Sequence, residues 1–286
     1  MFSIVASLPS PSSGTLGLGP VRLHVYGLMI ALGVVAANRL ASRRLEAIGA
    51  GTPNDMSSIA VWGVIGGDIG ARLYHVVTDW SAFSGDLGRI PLIWKGGLGI
   101  PGGLLGGISA GLWAAHRKGI PVAVVATVTA PAIALGQSIG RWGNWWNQEL
   151  FGGPTTLPWA LRISDHMVPS GYPPGTTFHP TFLYESLWNL ALCAVLLWID
   201  RRGQLKPGRL MAVYLVGYFS GRFWIEGIRI DRAHVIVGLR LNQWVALAVV
   251  GCAGSFLVLD RFRSRSESEP ITAVVESSAE EPIPSG

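Results

Sequence analysis

The chain is a succession of long apolar stretches separated by short polar segments. A helix that crosses the hydrocarbon core of a membrane needs roughly 20 mostly apolar residues. Seven stretches approach that length: 24–42, 56–78, 97–115, 120–140, 180–199, 208–227 and 241–260. The pattern therefore predicts an all-α, polytopic membrane protein with about seven transmembrane helices.

The composition agrees with this prediction. Hydrophobic residues make up 49% of the chain and charged residues only 14%, whereas soluble domains carry about 25% charged residues. Both cysteines, Cys193 and Cys252, lie in apolar runs and provide neither a disulfide framework nor a metal-ligand spacing. We therefore expect no metal and no cofactor. The net charge of +5 is explained by the loops, so no nucleic-acid partner is expected.

The basic residues of the loops predict an orientation. Twelve Lys and Arg follow the first, third, fifth and seventh stretches, and eight lie in the other connecting segments. Because basic residues concentrate on the cytoplasmic side, the N-terminus is predicted outside and the C-terminus in the cytoplasm. Residues 141–178 then form an outer-face loop of a membrane-embedded domain, 1–260. Residues 261–286, rich in Ser, Glu and Pro, are predicted to be a disordered cytoplasmic tail.

Polar residues concentrate at the predicted outer face. The stretch GRWGNWWNQELFGGP, residues 140–154, contains Arg141, Glu149 and three amide side chains. Tyr218, Arg222 and Glu226 in the sixth stretch are four residues apart, so they follow one stripe of a helix. Three separate parts of the chain thus supply polar groups at the same level, since Arg229 and Tyr26 also fall near outer helix ends.

Arg222 is the most informative of these residues. An Arg within a membrane span costs at least about 2.5–3.5 kcal/mol on insertion scales, so it needs a partner, a cavity or a polar ligand. An internal pair with Glu226, one helical turn away, would satisfy Arg222 and stays open as an explanation. The presence of Arg141 and Glu149 at the same depth favours a ligand. Two guanidiniums suit a phosphate, because each offers a planar fork of donors.

Other polar and aromatic groups in these stretches are expected to be structural. An internal hydrogen bond is expected for Glu185, and a contact at a helix start for His179, which precedes Pro180. The tryptophans, including Trp142 and Trp145, are expected to anchor the protein at the membrane interface. From the residues alone, the chain is a seven-helix membrane protein with a cationic outer-leaflet pocket for a phosphorylated, lipid-like ligand.

Several blocks carry a resemblance to a known family. GRWGNWWNQELFG (140–152) resembles the signature of the prolipoprotein diacylglyceryl transferases, which are bacterial enzymes. Further blocks resemble family segments: VYGLM (25–29), GGLGIPGGLLGG (96–107), HPTFLYE (179–185) and YFSGRFWIE (218–226). RIDRAHVIVGLRLNQW (229–244) is similar to the actinobacterial branch. The blocks occur in family order and cover roughly residues 20–260.

The resemblance implies a fold, a reaction and a location. It implies a seven-helix bundle with an outward N-terminus in the bacterial cytoplasmic (inner) membrane, with its active site facing the outer leaflet. It also implies transfer of the diacylglyceryl group of phosphatidylglycerol to the lipobox cysteine of a prolipoprotein, with release of glycerol-1-phosphate. The alternatives are another phospholipid-headgroup transferase and a non-catalytic lipid-binding or transport protein.

The resemblance also implies site residues, position by position. The predicted catalytic residues are Arg141, Arg222, Glu149, Glu226 and Tyr26. The predicted residues that bind phosphatidylglycerol are Arg141, Asn144, Gly152, Tyr218, Arg222 and Arg229. The two arginines are assigned to the phosphate of the headgroup and leaving group, and the tyrosines to positioning. Glu149 or Glu226 either orients the arginines or accepts the thiol proton, and orienting is favoured because a carboxylate paired with Arg is a poor base.

The sequence departs from the family pattern at two positions. The family commonly has a His before the Gly-Gly of its third helix, where this chain has Pro101. An Asp sometimes found four residues before the fourth-helix proline is also absent, since Thr127 stands four residues before Pro131. A mechanism that uses this His as the base therefore does not apply to this chain. The proton acceptor is left open, with His24 as one substitute.

Overall fold

The fold is a bundle of long helices. The computed structural model describes residues 7–18, 21–93, 96–203 and 205–266, so residues 267–286 of the predicted tail lie outside the described residues. The described helices are α1 Val25–Ala47, α2 Pro53–Thr78, α3 Ile100–Arg117, α4 Val122–Gly140, the short α5 Trp142–Asn147, α6 Thr181–Arg201, α7 Arg209–Ile228 and α8 Leu241–Ser266. Each of the seven apolar stretches forms one long helix, which confirms the helical prediction.

Four of the long helices meet the length and hydropathy expected of a membrane span. They are Val25–Ala47, Val122–Asn147, Thr181–Arg201 and Leu241–Phe262. The other three, α2, α3 and α7, contain several glycines, and α2 and α7 also carry charged residues in their interiors. The chain is therefore a largely helical membrane protein.

In the described part of the chain, seven short strands lie before α1 and between the later helices, and the apolar pattern did not predict them. They are β1 Leu8–Pro9, β2 Thr15–Leu18, β3 Val21–His24, β4 Leu161–Arg162, β5 Thr177–Phe178, β6 Val235–Ile236 and β7 Leu239–Arg240. The order β1-β4-β5 forms one small sheet, while β2-β3 and β6-β7 form two hairpins. All seven belong to the end of the bundle where α1, α6 and α8 begin, called the strand end below.

Helices α2 and α3 pack with their backbones in contact. A Cβ atom built on Gly70 would lie 2.3 Å from the carbonyl oxygen of Gly102, and one on Gly66 would lie 2.6 Å from that of Gly106. Small residues are required where helix backbones approach this closely. The glycines at four-residue spacing thus join α2 and α3 into one hairpin.

This hairpin meets α1 mainly at the end opposite the strands. There Asn38 Nδ2 donates to Ser57 Oγ over 2.9 Å, and Leu45 and Met56 are buried in one apolar cluster. Towards the strand end the facing side chains become exposed, as at Val34 and Val61. These facing positions of α1 and α2 are therefore not packed against each other towards the strand end, and the space between them is called the cleft below.

Candidate active site

The candidate site lies at the strand end, where the backbone brings distant segments together. The N–H of Gly152 donates to the carbonyl of His179, and the N–H of Gly153 donates to that of Ile228, both over 2.9 Å. Gly152 also forms a bridge with Arg229. These bonds tie the segment after α5 to the start of α6 and to the end of α7.

Glu185 on α6 lies at the centre of the charged groups. Its Oε2 atom is 2.5 Å from Nε of Arg141, and its Oε1 atom accepts a hydrogen bond from Nη1 of Arg222 over 3.3 Å. The Glu185 side chain is only 6% exposed. One buried carboxylate thus holds the two guanidiniums that the sequence analysis assigned to a phosphate.

The network continues from Arg222 to a second buried carboxylate. Nη2 of Arg222 lies 2.8 Å from Oε2 of Glu226, whose side chain is completely buried. The other oxygen of Glu226 lies 2.9 Å from Nε of Arg240 and accepts a hydrogen bond from Asn242 Nδ2 over 3.2 Å. The expected pair between Arg222 and Glu226 is confirmed, but it is one link of a larger network.

A third carboxylate, Asp231, closes the network in the segment between α7 and α8. It accepts a hydrogen bond from Nε of Arg229 over 2.7 Å and one from Nη2 of Arg240 over 3.0 Å. Partial burial alone would raise the pKa of the Asp231 carboxyl. The hydrogen bond and charge of Arg229, together with the charge of Arg240, outweigh burial and hold that pKa below its usual range.

The network has an excess of positive charge. Four guanidiniums, those of Arg141, Arg222, Arg229 and Arg240, face the carboxylates of Glu185, Glu226 and Asp231, which leaves one net positive charge. Among the described residues, the terminal nitrogens of Arg141 have no protein partner. The Arg141 and Arg222 side chains are 19% and 16% exposed. The site can therefore receive an anion on these two arginines.

A narrow crevice runs beside Arg222. Glu185, Asn189, Tyr218 and Arg222 contribute to its walls, and its volume is about 10 Å³. A cavity of this size holds about one water molecule. The crevice is therefore too small to enclose a phosphate group.

Comparison with known proteins decides the family. The family model for prolipoprotein diacylglyceryl transferase matches residues 14–259. The chain belongs to this family. The expectation of a membrane transferase is therefore confirmed.

Relatives of this transferase are similar along most of its length. Phosphatidylglycerol–prolipoprotein diacylglyceryl transferase 1 of Streptomyces coelicolor is 48% identical over 281 residues, which cover 96% of this chain and 79% of the relative. The enzyme of the same name from Frankia alni is 49% identical over 90% of this chain and 69% of its own length. That of Cutibacterium acnes is 47% identical over 89% of this chain and 87% of its own length. The similarity to actinobacterial sequences is thus confirmed.

Glu149 of this transferase is engaged away from the arginines. Its Oε1 atom accepts hydrogen bonds from Asn144 Nδ2 over 2.9 Å and from Asn147 Nδ2 over 3.2 Å. The orienting contact to Arg141 that the sequence analysis allowed for Glu149 is made by Glu185. Asn144 is buried, so this pair of polar groups shapes the turn after α5.

The two predicted tyrosines contact different parts of the site. The ring of Tyr26 packs on Gly143, where an added Cβ would lie 2.7 Å from Tyr26 Cδ2. Tyr218 stacks on Tyr214 with ring centroids 5.8 Å apart and lines the crevice. Tyr26 therefore lies next to the residues that follow Arg141, and Tyr218 lies next to Arg222.

Gly152 is enclosed by protein atoms. A Cβ added there would lie 2.8 Å from Cβ of His179 and 3.0 Å from the carbonyl oxygen of Ile228. This close packing accounts for the glycine without any ligand. Gly152 thus belongs to the packed backbone of the strand end, where it joins the segment after α5 to the start of α6 and the end of α7.

Two tryptophans that were expected to be interfacial anchors make internal contacts. Nε1 of Trp142 donates to Ser186 Oγ over 3.1 Å, and Trp145 stacks on Phe182 with ring centroids 6.0 Å apart. Both join α5 to α6, because their partners lie on the first turns of α6. Trp145 also packs against an apolar cluster, and the anchor interpretation of both tryptophans stays a prediction.

Sequence reasoning missed two members of the network, Glu185 and Arg240. An internal hydrogen bond was expected for Glu185, but its partners are two guanidiniums from different helices. Arg240 was counted only as a loop charge, although it contacts both Glu226 and Asp231. An ionisable residue inside a predicted span is itself a signal of function, and Glu185 carried that signal.

Proposed function

We propose that this chain transfers the diacylglyceryl group of phosphatidylglycerol to the lipobox cysteine thiol of prolipoproteins, which releases glycerol-1-phosphate. The sulfur attacks the glyceryl carbon that carries the phosphate. The carbon–oxygen bond breaks, its electron pair leaves with the phosphate, and a thioether forms. The substrates are those that the names of the relatives state.

The observation that carries this proposal is the pair of arginines on Glu185. Arg141 and Arg222 come from different helices, and the two oxygens of one carboxylate hold them side by side. The terminal nitrogens of Arg141 and the exposed edge of Arg222 offer donors to phosphate oxygens, on which negative charge develops as the bond breaks. Donors fixed in advance at such a position stabilise the transition state more than the ground state.

The remaining predicted residues receive supporting roles in the proposal. Glu226 and Glu185 orient Arg222, while Arg229 and Arg240 hold Glu226 in place. Tyr26 and Tyr218 position the lipid on either side of the phosphate, and Asn144 with Glu149 and Gly152 shapes the loop beneath it. No step in this reaction requires a metal or an organic cofactor.

The proposal includes an orientation in the membrane. The seven long helices cross the cytoplasmic membrane of a bacterium, with the N-terminus outside and residues 261–286 as a cytoplasmic tail. The strand end then faces the outer leaflet, where the lipid headgroup and an exported prolipoprotein meet. The excess of basic residues in the segments at the opposite end supports this orientation.

The test uses purified protein in nanodiscs that contain phosphatidylglycerol, with a synthetic lipobox peptide. Release of glycerol phosphate and the mass of the peptide are followed together. We expect a diacylglyceryl mass gain on the Cys peptide and none on a Ser analogue. Arg222→Ala should abolish transfer, because Glu185 and Glu226 lose their shared partner and the phosphate loses one fork of donors.

Arg43→Ala is the matched control, since Arg43 is an exposed arginine near the opposite end of α1. It should transfer at the wild-type rate. Near wild-type transfer by folded Arg222→Ala would overturn the assignment of the phosphate site. Headgroup release without a peptide mass gain would favour another headgroup transferase, and lipid binding without release would favour a lipid-binding protein.

A further inference from the structure

Asp68 is an unpaired carboxylate in the middle of α2. It is exposed, and within the described parts of the chain its carboxylate has no hydrogen bond and no ion pair. Ionisable residues within a membrane segment are costly and mark functional sites by default. The other interior carboxylates of the site, Glu185 and Glu226, have both oxygens against guanidiniums or amides.

The arginine that helix geometry would pair with Asp68 is engaged elsewhere. Arg72 lies four residues further on, at the spacing that favours an ion pair. Its Nε donates to the carbonyl of Ile90 over 2.6 Å, and its Nη2 donates to that of Arg89 over 2.7 Å. Its Nη1 donates to the carbonyls of Gly96 and Gly97. All three nitrogens of Arg72 thus donate to carbonyls in the segment between α2 and α3, and Asp68 is left without an ion-pair partner.

The depth of Asp68 follows from the contacts of α1. Asn38 on α1 is level with Ser57 on α2, because the two side chains are bonded. Gly27 precedes Asn38 by eleven residues and Asp68 follows Ser57 by eleven, which is about three turns or 16 Å in each helix. Since the helices are antiparallel, Asp68 is at the level of Gly27.

Contacts between α1 and α4 relate the level of Gly27 to the arginines. Gly33 on α1 touches Gly136 on α4, where an added Cβ would lie 2.7 Å from the Gly136 carbonyl oxygen. Six residues further towards the strand end, Gly27 is level with Trp142, the neighbour of Arg141. The contact of Tyr26 with Gly143 agrees with this alignment. Asp68 therefore lies at the depth of the phosphate site.

Asp68 also lies on the face of α2 that is turned towards α1. A spacing of eleven residues returns to the same helix face within about 20°, so Asp68 lies on the face of α2 that contacts α1 at Ser57. Gly27 lies likewise on the face of α1 that contacts α2 at Asn38. Among the described residues, no atom lies within 4 Å of a Cβ added to Gly27, so no side chain of α2 packs against α1 at this position. The walls of the cleft at Val34 and Val61 are apolar and exposed.

We propose that Asp68 is the catalytic base that takes the proton from the acceptor cysteine, and that the cysteine enters through the cleft between α1 and α2. The inference rests on the proposed transferase function. The thiol S–H proton passes to an Asp68 oxygen while the sulfur attacks the glyceryl carbon, and the electron pair of the broken C–O bond leaves on the phosphate held by Arg141 and Arg222. Asp68 then returns the proton to water.

The test compares two peptides and several pH values. Only a few per cent of a thiol with a pKa near 8.5 is ionised at neutral pH, whereas the selenol of a selenocysteine peptide is ionised without a base. Asp68→Asn should transfer to the cysteine peptide at least about 100-fold more slowly than wild type at pH 6.5. The deficit should shrink about tenfold per pH unit towards the thiol pKa. Transfer to the selenocysteine peptide should be near wild type.

Asp79→Asn is the matched control, because Asp79 is an exposed carboxylate just beyond the end of α2. It should behave as wild type with both peptides. Equal losses of Asp68→Asn on both peptides at every pH would show a structural role and overturn the proposal, as would wild-type transfer to the cysteine peptide at pH 6.5. If the wild-type protein transfers to neither peptide, the proposed function itself fails, whatever Asp68 does.

Discussion

Nε of Arg141, at the end of α4, lies 2.5 Å from Oε2 of Glu185 on α6. The two residues are 44 positions apart, and the buried carboxylate uses its other oxygen for Arg222. Each guanidinium therefore depends on Glu185 for its position, and the distance between the two depends on it as well. In the proposed reaction, the carboxylate acts on the substrate through the arginines.

Glu185→Gln should lower the transfer rate by about 100-fold, since a small displacement of positioning groups has an effect of that order. The amide keeps the size of the side chain but presents an N–H to one guanidinium. Steady-state kinetics should place most of the loss in kcat. The displaced arginines lose more of their interaction with the phosphate in the transition state than in the ground state.

Asp200→Asn provides the comparison for Glu185→Gln. Asp200 accepts a hydrogen bond from Arg44 Nη1 over 2.9 Å at the opposite end of the bundle. Loss of this pair should lower the melting temperature without changing kcat. If both variants lose the same fraction of activity, the effect of Glu185 is one of general stability.

Gly152→Ala should destabilise the strand end and reduce activity, while Gly153→Ala should be tolerated. A Cβ on Gly152 meets His179 Cβ at 2.8 Å, whereas the nearest atom to a Cβ on Gly153 is 3.9 Å away. The expected penalty for overpacking at Gly152 is about 1–3 kcal/mol. Thermal unfolding in detergent measures the difference between these neighbours, and equal melting temperatures would contradict the packing at Gly152.

Arg44 satisfies backbone groups that Pro131 leaves without a donor. Pro131 has no N–H for the carbonyl of Thr127, and Arg44 Nη2 donates to that carbonyl over 3.0 Å, while its Nε donates to that of Val128. Arg44→Met should cost about 2–4 kcal/mol, because buried carbonyls lose their donors. The loss should be smaller by roughly 1 kcal/mol when Pro131→Ala restores a backbone N–H. Unfolding of the two single variants and the double variant measures this coupling, and strict additivity would argue against it.

Asp231 should contribute a pH-dependent part of the stability. Its folded pKa lies below the unfolded value because of Arg229 and Arg240. The contribution is therefore complete above the unfolded pKa of about 3.9 and is lost as the pH falls through the lower, folded value. Asp231→Asn should melt below wild type at pH 7, and the gap should narrow as the pH falls below about 4. A gap that stays constant from pH 7 to pH 3 would contradict this linkage.

The long helices could be predicted from the sequence because each one requires only a run of apolar residues. The stretch 180–199 became α6, Thr181–Arg201, and 208–227 became α7, Arg209–Ile228. The strands could not be predicted, since pieces of two residues such as β1 and β4 have no periodicity of their own. They exist because the helices bring their ends together.

The candidate residues could be named from the sequence, but the network that joins them could not. Arg141 and Arg222 stood out because Arg is costly in a membrane, and the structure joins them. Nothing local indicates that Glu185 reaches both, because that contact depends on how α4, α6 and α7 pack. Asp68, like Arg222, is an ionisable residue inside an apolar stretch. Its level relative to the arginines and the side of α2 on which it lies follow only from the contacts of α1.

The pairing of β1 with β4 restricts how the chain can be threaded. Leu8 pairs with Leu161 and Pro9 with Arg162, so both segments must be on the same side of the membrane. The number of crossings between them must then be even, and α1 to α4 supply four long helices. Gly152 and Arg229 form a bridge as well, so the number of crossings between them must also be even, and α6 and α7 supply two long helices. If the first helix alone were inserted in the opposite direction, β1 and β4 would lie on opposite sides of the membrane. The strand end could then not assemble.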